Sequence, residues 1–412
     1  MSVVTAQLHR IEEHSDSPAK DSGLRSEPAL SLSKGCFAVA GQLLSVRPLL
    51  LFLVLVGGLA TTGFGPPVLT DGNDPPLRLY PAHVRAIQRL AQPPAVSATA
   101  ALLIDLDAGQ TLYARRAHDP LPPASTVKLI TALLVLQRAT LTDRVTISAH
   151  AAGIPGSRMG LTAGETLTVR DLLYGLLLPS GNDAAVALAE HVAGDETAFV
   201  TLMNQAAVNM SLAQTRFTNP HGLDDPQERT SAADLVKIAQ AALAYPIFAE
   251  IVAQESAFVA GRSLQNTNEL LGFYRGADGV KTGTTTAAGE CLVASVTRSS
   301  HRLMVVVLGA ADRYADAIAL LDFAAANWQW RRVAVPADAL AWMTDPDGQA
   351  YRLRSTQSPA LFLPAWQWQL AQSVRVLDPS APLTATLPVG TLTLTLGSQV
   401  LATAPLIVWD GP

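Results

Sequence analysis

The sequence predicts an α+β chain, with an antiparallel sheet flanked by helices followed by a small all-β sandwich domain. Strand-like and helix-like stretches segregate between residues 79 and 330, with strands near both ends and helices in the middle. Beyond Trp330 the helical period disappears and only short β-type runs remain. Apolar residues make up 49% of the chain and charged residues 15%, enough for a sizeable core in each part. The net charge is −5 with no basic stripe, which excludes a nucleic-acid partner of the usual kind.

The elements are expected in this order. Tyr80–Ala91 is a short amphipathic helix. Ala98–Asp105 and Thr111–Arg115 form a β-hairpin around Asp107-Ala108-Gly109. A helix begins at Ser125, after Pro122-Pro123. A polar loop follows from Gly156, with a turn at Ala163-Gly164 and a helix from Thr168. Asp183–Val192, Glu196–Leu212 and Ser231–Leu243 are helices, the last with Ser231 and Asp234 placed as a capping box. Ala277–Thr282, Cys291–Thr297 and Leu303–Leu308 are strands, and Tyr314–Trp328 is a helix. The β-type runs of the second domain, 331–412, are Val333–Pro336, Tyr351–Leu353, Ala360–Leu363, Leu383–Leu387, Thr391–Leu396 and Leu406–Trp409.

The N-terminal part differs in character. Residues 1–48 mix charges, Ser and Pro without periodicity and read as a disordered lead. A translation start nearer Val46 accounts for its length; peptides from residues 1–35 in the mass spectrum of the native protein would contradict that start. Leu49–Ala60 is an uncharged apolar run after Arg47, with the shape of a secretory signal peptide. An uncleaved anchor is the alternative, although the run is short for a membrane span. Residues 61–78, rich in Pro and Gly, read as a linker. The cysteines are Cys36 and Cys291, so a chain beginning after the apolar run has no internal disulfide.

Three short motifs carry chemistry. Ser125 and Lys128 stand one helical turn apart, so the hydroxyl and the amine share a face. The same Ser-x-x-Lys spacing occurs at Ser17–Lys20 and Ser31–Lys34, where it reads as chance in the lead. Ser180-Gly181-Asn182 precedes a helix, and Lys281-Thr282-Gly283 ends a strand. Each reads by itself as an ordinary cap or turn. Their order, and separations of about 50 and 100 residues, match one known serine acyl-transfer arrangement. Ser125 is the nucleophile, Lys128 takes its proton as a neutral amine, and Ser180 relays the proton to the leaving amine. Asn182 bonds the substrate's peptide group, Lys281 supplies fixed charge for a carboxylate, and Gly283 lets the substrate backbone approach. The Ser125 and Thr284 N–H groups are the oxyanion donors. His221 reads as a turn residue rather than a base, Cys291 as an inert buried thiol, and Asp224–Glu228 lacks metal-ligand spacing. No cofactor is implied.

With these motifs the chain resembles the D-alanyl-D-alanine carboxypeptidases, low-molecular-mass penicillin-binding proteins, over residues 79–412. The likeness extends to Gly156-Ser157-Arg158-Met159-Gly160, Pro179-Ser180-Gly181-Asn182-Asp183-Ala184-Ala185, Asn219-Pro220-His221-Gly222-Leu223 and Gly279-Val280-Lys281-Thr282-Gly283. The resemblance implies a β-lactamase/DD-peptidase-like domain with Ser125, Lys128, Ser180 and Lys281 catalytic or carboxylate-binding, and Asn182, Thr282, Gly283 and Thr284 around the substrate. It further implies peptidoglycan stem peptides as substrate, β-lactams as covalent inhibitors, and an exported enzyme facing the cell wall. Family members often end in an amphipathic membrane helix. This chain stops at Trp409-Asp410-Gly411-Pro412 without one, so membrane attachment is expected through the N-terminal segment. A DD-endopeptidase, a class A-like β-lactamase and an inactive wall-binding module are the alternatives. Against the β-lactamase, the middle motif is Ser-Gly-Asn, and no Glu-x-x-x-Asn follows between residues 183 and 280.

Overall fold

The strands expected at 291–308 are apolar on both faces because both faces are covered. In the computed structural model, which describes residues 68–71, 78–298, 301–333 and 342–409, five antiparallel strands form the central sheet. Their order is Gln110–Arg115, Ala100–Asp105, His301–Ala310, Gly289–Arg298, Ala277–Thr285. Successive residues of a strand face opposite sides. Met304, Val306 and Leu308 enter one core with Leu102, Cys291 and Val293; Val305 and Val307 enter the other with Leu103, Leu292 and Ala294. Each large apolar side chain among them contributes about 1.5–3 kcal/mol when fully buried. The first core is shared with the helices Lys128–Arg138, Val169–Leu177, Asn182–Ala193 and Ala232–Leu243, the second with the helix Arg313–Asn327.

Local chemistry sets the helix starts. Thr168 accepts the Asp171 N–H while Asp171 reaches back to the Thr168 N–H, a complete capping box. Ser231 caps its helix through the Asp234 N–H, and Asp312 caps Arg313–Asn327. Two small antiparallel pairs, Arg144–Thr146 with Thr166–Thr168 and Ser256–Val259 with Arg262–Gln265, were not visible in the sequence. Each strand is only three or four residues long, too short for an alternating pattern to register.

The C-terminal region is β-rich. Trp328–Arg332 pairs with Ala360–Pro364. A six-stranded sheet runs in the order Val68–Asp71, Gln372–Leu377, Gly390–Leu396, Gln399–Val408, Ala350–Ser355, Trp342–Thr344. Leu392, Leu394 and Leu406 alternate inward onto Trp368.

Several expectations change here. Residues 68–71, read as linker, form an edge strand parallel to Gln372–Leu377. The helix read to Trp328 stops at Asn327, because Trp328 begins the strand paired with Ala360–Pro364. Ala365–Leu370 is a helix of six residues, too short to show a period. Burial of Trp368, whose Nε1 donates to the Gln329 carbonyl at 2.9 Å, holds it in place. Leu383–Leu387 lies outside any strand. The readings of residues 1–60 and of 334–336 fall outside the described residues.

Candidate active site

Ser125 lies in a 3₁₀ turn, Ala124–Val127, that runs into the helix Lys128–Arg138. In a 3₁₀ turn residues i and i+3 eclipse, a closer match than the α-helical start expected from sequence. The Lys128 Nζ is accordingly 2.9 Å from Ser125 Oγ. Two glycines press on this turn. A Cβ at Gly283 would lie 2.8 Å from the Ser125 nitrogen and 3.1 Å from the Thr126 nitrogen; one at Gly222 would lie 2.0 Å from the Ala124 carbonyl oxygen. Gly283 was expected to make room for substrate. What it first makes room for is the backbone of the nucleophile.

Lys128 is fully buried. Its Nζ is 2.7 Å from Asn182 Oδ1 and 2.6 Å from the His221 carbonyl oxygen. The Asn182 amide cannot be reversed, because its Nδ2 donates to the Pro155 carbonyl at 2.7 Å. Burial pushes the Lys128 amine well below the ordinary lysine range, and the charge of Lys281 adds to this; Glu228 and Asp183 oppose it. A neutral amine has two N–H groups and one lone pair. Asn182 Oδ1 and the His221 carbonyl can only accept, so they take both N–H groups. The lone pair is left facing the Ser125 hydroxyl.

This arrangement makes Asn182→Asp informative. A carboxylate at that position would favour the charged amine and return Lys128 toward ordinary basicity. Acylation of Ser125 at neutral pH is expected to fall about 100-fold or more and to recover in alkaline buffer. A stopped-flow pH series with a fluorescent penicillin measures both.

Asp183 explains why the residues around Asn182 hold their places. Its buried carboxylate accepts the N–H groups of Met159, Gly160 and Leu161 at 2.8, 2.9 and 3.0 Å, tying the 156–161 loop to the start of the helix Asn182–Ala193. Ser180, just before that helix, has φ of 63°, a left-handed conformation costly for a residue with a Cβ. Its Oγ is buried and, among the described residues, has no hydrogen-bond partner. Ser125, Ser180, Thr282, Gly283, Thr284 and Arg313 line one cleft of about 530 Å³. A larger groove of about 870 Å³ beside Val208 and Arg229 contains no nucleophile–base pair, and the chemistry lies in the smaller one.

Lys281 differs from expectation. Its side chain is buried beneath the cleft, where Nζ donates to the Thr282 carbonyl at 2.9 Å. Burial, with Arg313 adding to it, pulls the amine down to about 7, so its charge is conditional at neutral pH rather than fixed. The cation on the cleft wall is Arg313, which the sequence reading missed. It donates to the Gly283 carbonyl at 3.0 Å and the Cys291 carbonyl at 3.1 Å, pairs with Glu290 at 3.2 Å, and bonds Thr284 Oγ1. No local motif marks it. It follows the N-cap Asp312 of the helix Arg313–Asn327, far along the chain from Lys281, and only the fold brings the two together.

His221 lies in a turn and meets Lys128 through its backbone. Its backbone carbonyl reaches Lys128, while its ring accepts the Leu223 N–H at 3.2 Å and lies 3.4 Å from Glu196. The Cys291 thiol is buried and pushed up to about 11 by burial, which keeps it unreactive. Among the described residues no cluster of His, Cys, Asp and Glu could hold a metal ion.

A cleft serine on a buried lysine, beside a second serine without a partner among the described residues, at the edge of a helix-flanked antiparallel sheet, defines a serine acyl-transfer enzyme. The family model for D-alanyl-D-alanine carboxypeptidase matches residues 87–312. The carboxypeptidase DacF of Bacillus subtilis is 33% identical over 75% of this chain and 84% of its own length. DacC of Escherichia coli is 33% identical over 81% and 89%. Among solved structures, penicillin binding protein 6B from Escherichia coli is 31% identical with a TM-score of 0.61, covering 77% of this chain and 97% of that one. The chain belongs to the D-alanyl-D-alanine carboxypeptidase family, and is a serine-type peptidase of the penicillin-binding class.

Proposed function

We propose that this cleft removes the terminal D-alanine from peptidoglycan stem pentapeptides through an acyl-enzyme on Ser125. The observation that carries the reading is the Lys128 amine, 2.9 Å from Ser125 Oγ with its other two neighbours restricted to accepting. Lys128 takes the hydroxyl proton as Ser125 Oγ bonds to the scissile carbonyl carbon. Charge developing on the carbonyl oxygen meets the N–H groups of Ser125 and Thr284. That proton passes from Lys128 through Ser180 to the leaving amine as the peptide C–N bond breaks, which returns Lys128 to its neutral form. Asn182 holds Lys128, and Thr282, Thr284 and Arg313, with Lys281 buried behind them, form the cationic, hydroxyl-lined end that receives the substrate carboxylate. Water then attacks the ester carbon, Lys128 accepts its proton, and the acyl C–O bond breaks as Lys128 returns that proton to Ser125 Oγ. β-Lactams acylate the same serine. The site faces the cell wall from the outer side of the cytoplasmic membrane, with Leu49–Ala60 serving in export or anchoring.

Release of D-alanine from a pentapeptide, measured beside penicillin turnover and cleavage of cross-linked dimers, tests the reading. D-alanine release that disappears in Ser125→Ala is the expected result. Rapid penicillin hydrolysis without D-alanine release would overturn it in favour of a β-lactamase, and cleavage of dimers alone in favour of an endopeptidase.

A further inference from the structure

Glu228 stands in a polar loop to which the sequence assigned no role, yet its side chain is buried. One carboxylate oxygen accepts the Thr218 N–H at 3.3 Å, and the other accepts Asn219 Nδ2 at 3.2 Å. Asn219 Oδ1 in turn accepts the His221 N–H at 3.1 Å and the Gly222 N–H at 2.5 Å. Its Nδ2 also donates to the Leu223 carbonyl at 3.0 Å. These bonds shape the turn that brings the His221 carbonyl to 2.6 Å from Lys128 Nζ. Among the described residues, no cation pairs with Glu228 within 4.0 Å, the limit for an ion pair.

We propose that Glu228 is a positioning residue for the base: through Asn219 it fixes the carbonyl that receives a Lys128 N–H, and its charge supports the amine's basicity. The proposal rests on Lys128 as the base. A base buried as deeply as Lys128, with Lys281 nearby, risks becoming too weak to take a serine proton. Glu228 and Asp183 are the charges that counter this. Glu228 itself is raised to about 7 by burial, with Asp225 adding to the effect, so it is ionised in mildly alkaline conditions. The His221 ring faces Glu196 and feels His150 and Lys128. Whichever group of the coupled pair takes the first proton, loss of the Glu228 charge can only extend neutral Lys128 to lower pH.

The test is the acylation rate of the full chain by a fluorescent penicillin across the pH range, for the wild type, Glu228→Gln, Glu228→Asp and Asp225→Asn. In Glu228→Gln the acid limb is expected to move down by about half a pH unit or more, with a several-fold lower plateau from the weaker base. Glu228→Asp keeps the charge but withdraws the oxygens, so its plateau falls while its limb stays near the wild-type position. Asp225→Asn, an exposed acid in the same loop that only adds to the Glu228 shift, moves the limb less than Glu228→Gln and leaves the plateau unchanged. A Glu228→Gln limb that coincides with the wild type, or an equal shift in Asp225→Asn, would overturn the proposal. Absence of wild-type acylation at every pH would instead overturn the assignment of the base, and this proposal with it.

Discussion

Lys128→Arg leaves Ser125 essentially unacylated at every accessible pH, a loss of about 10³–10⁴-fold or more against the wild type. Arginine keeps positive charge and hydrogen-bond donors for Asn182 Oδ1 and the His221 carbonyl, but it cannot give up a proton. If Lys128 served only to hold these acceptors or to supply charge, arginine would retain much of the rate. Lys128→Met, measured beside it, removes the charge as well and is expected to be equally inactive. It also leaves the buried Asn182 Oδ1 without its Lys128 donor, at a cost of about 1–3 kcal/mol of stability. Circular dichroism and a thermal melt separate that loss from the loss of chemistry.

The second large effect is expected at Gly283→Ala. The new methyl group would meet the backbone nitrogens of Ser125 and Thr126 at 2.8 and 3.1 Å, and the Ala124 Cβ at 3.0 Å. None of these is the end of a flexible side chain, so either the nucleophile turn or the strand Ala277–Thr285 must shift. A displacement of about 1 Å at a reacting atom costs about 100-fold in rate. Overpacking also lowers stability by about 1–3 kcal/mol. The acylation rate and the thermal midpoint are therefore expected to fall together, unlike Lys128→Arg, in which the rate falls out of proportion to stability.

Much of the site was legible because its chemistry is local. Ser125 and Lys128 are one turn apart, Ser180 and Asn182 two residues apart, and Lys281 and Gly283 likewise. Their residue types and spacing carried the reading. Arg313 and Glu228 were not legible, because neither lies in a recognisable motif: Arg313 reaches the site through elements distant in sequence, and Glu228 through its bonds to Thr218 and Asn219 in the turn that meets Lys128. The close approach of Gly283 to the nucleophile turn was not legible for the same reason, since the backbone it touches belongs to residues 124–126. The burial of Lys281, and so its conditional charge, depends on neighbours that no short window contains. In the fold, long apolar strands and capped helices announced themselves. The three- and four-residue strands and the six-residue helix at Ala365–Leu370 lacked the length to show a period.

The pH dependence of Ser125 acylation in the wild-type protein tests most directly whether Lys128 is a neutral base. A rate whose decline toward acid, as the amine becomes charged, sets in well below the ordinary lysine range is the result this structure predicts. A rate that declines below about pH 10, following the ordinary lysine value of 10.5, would contradict it.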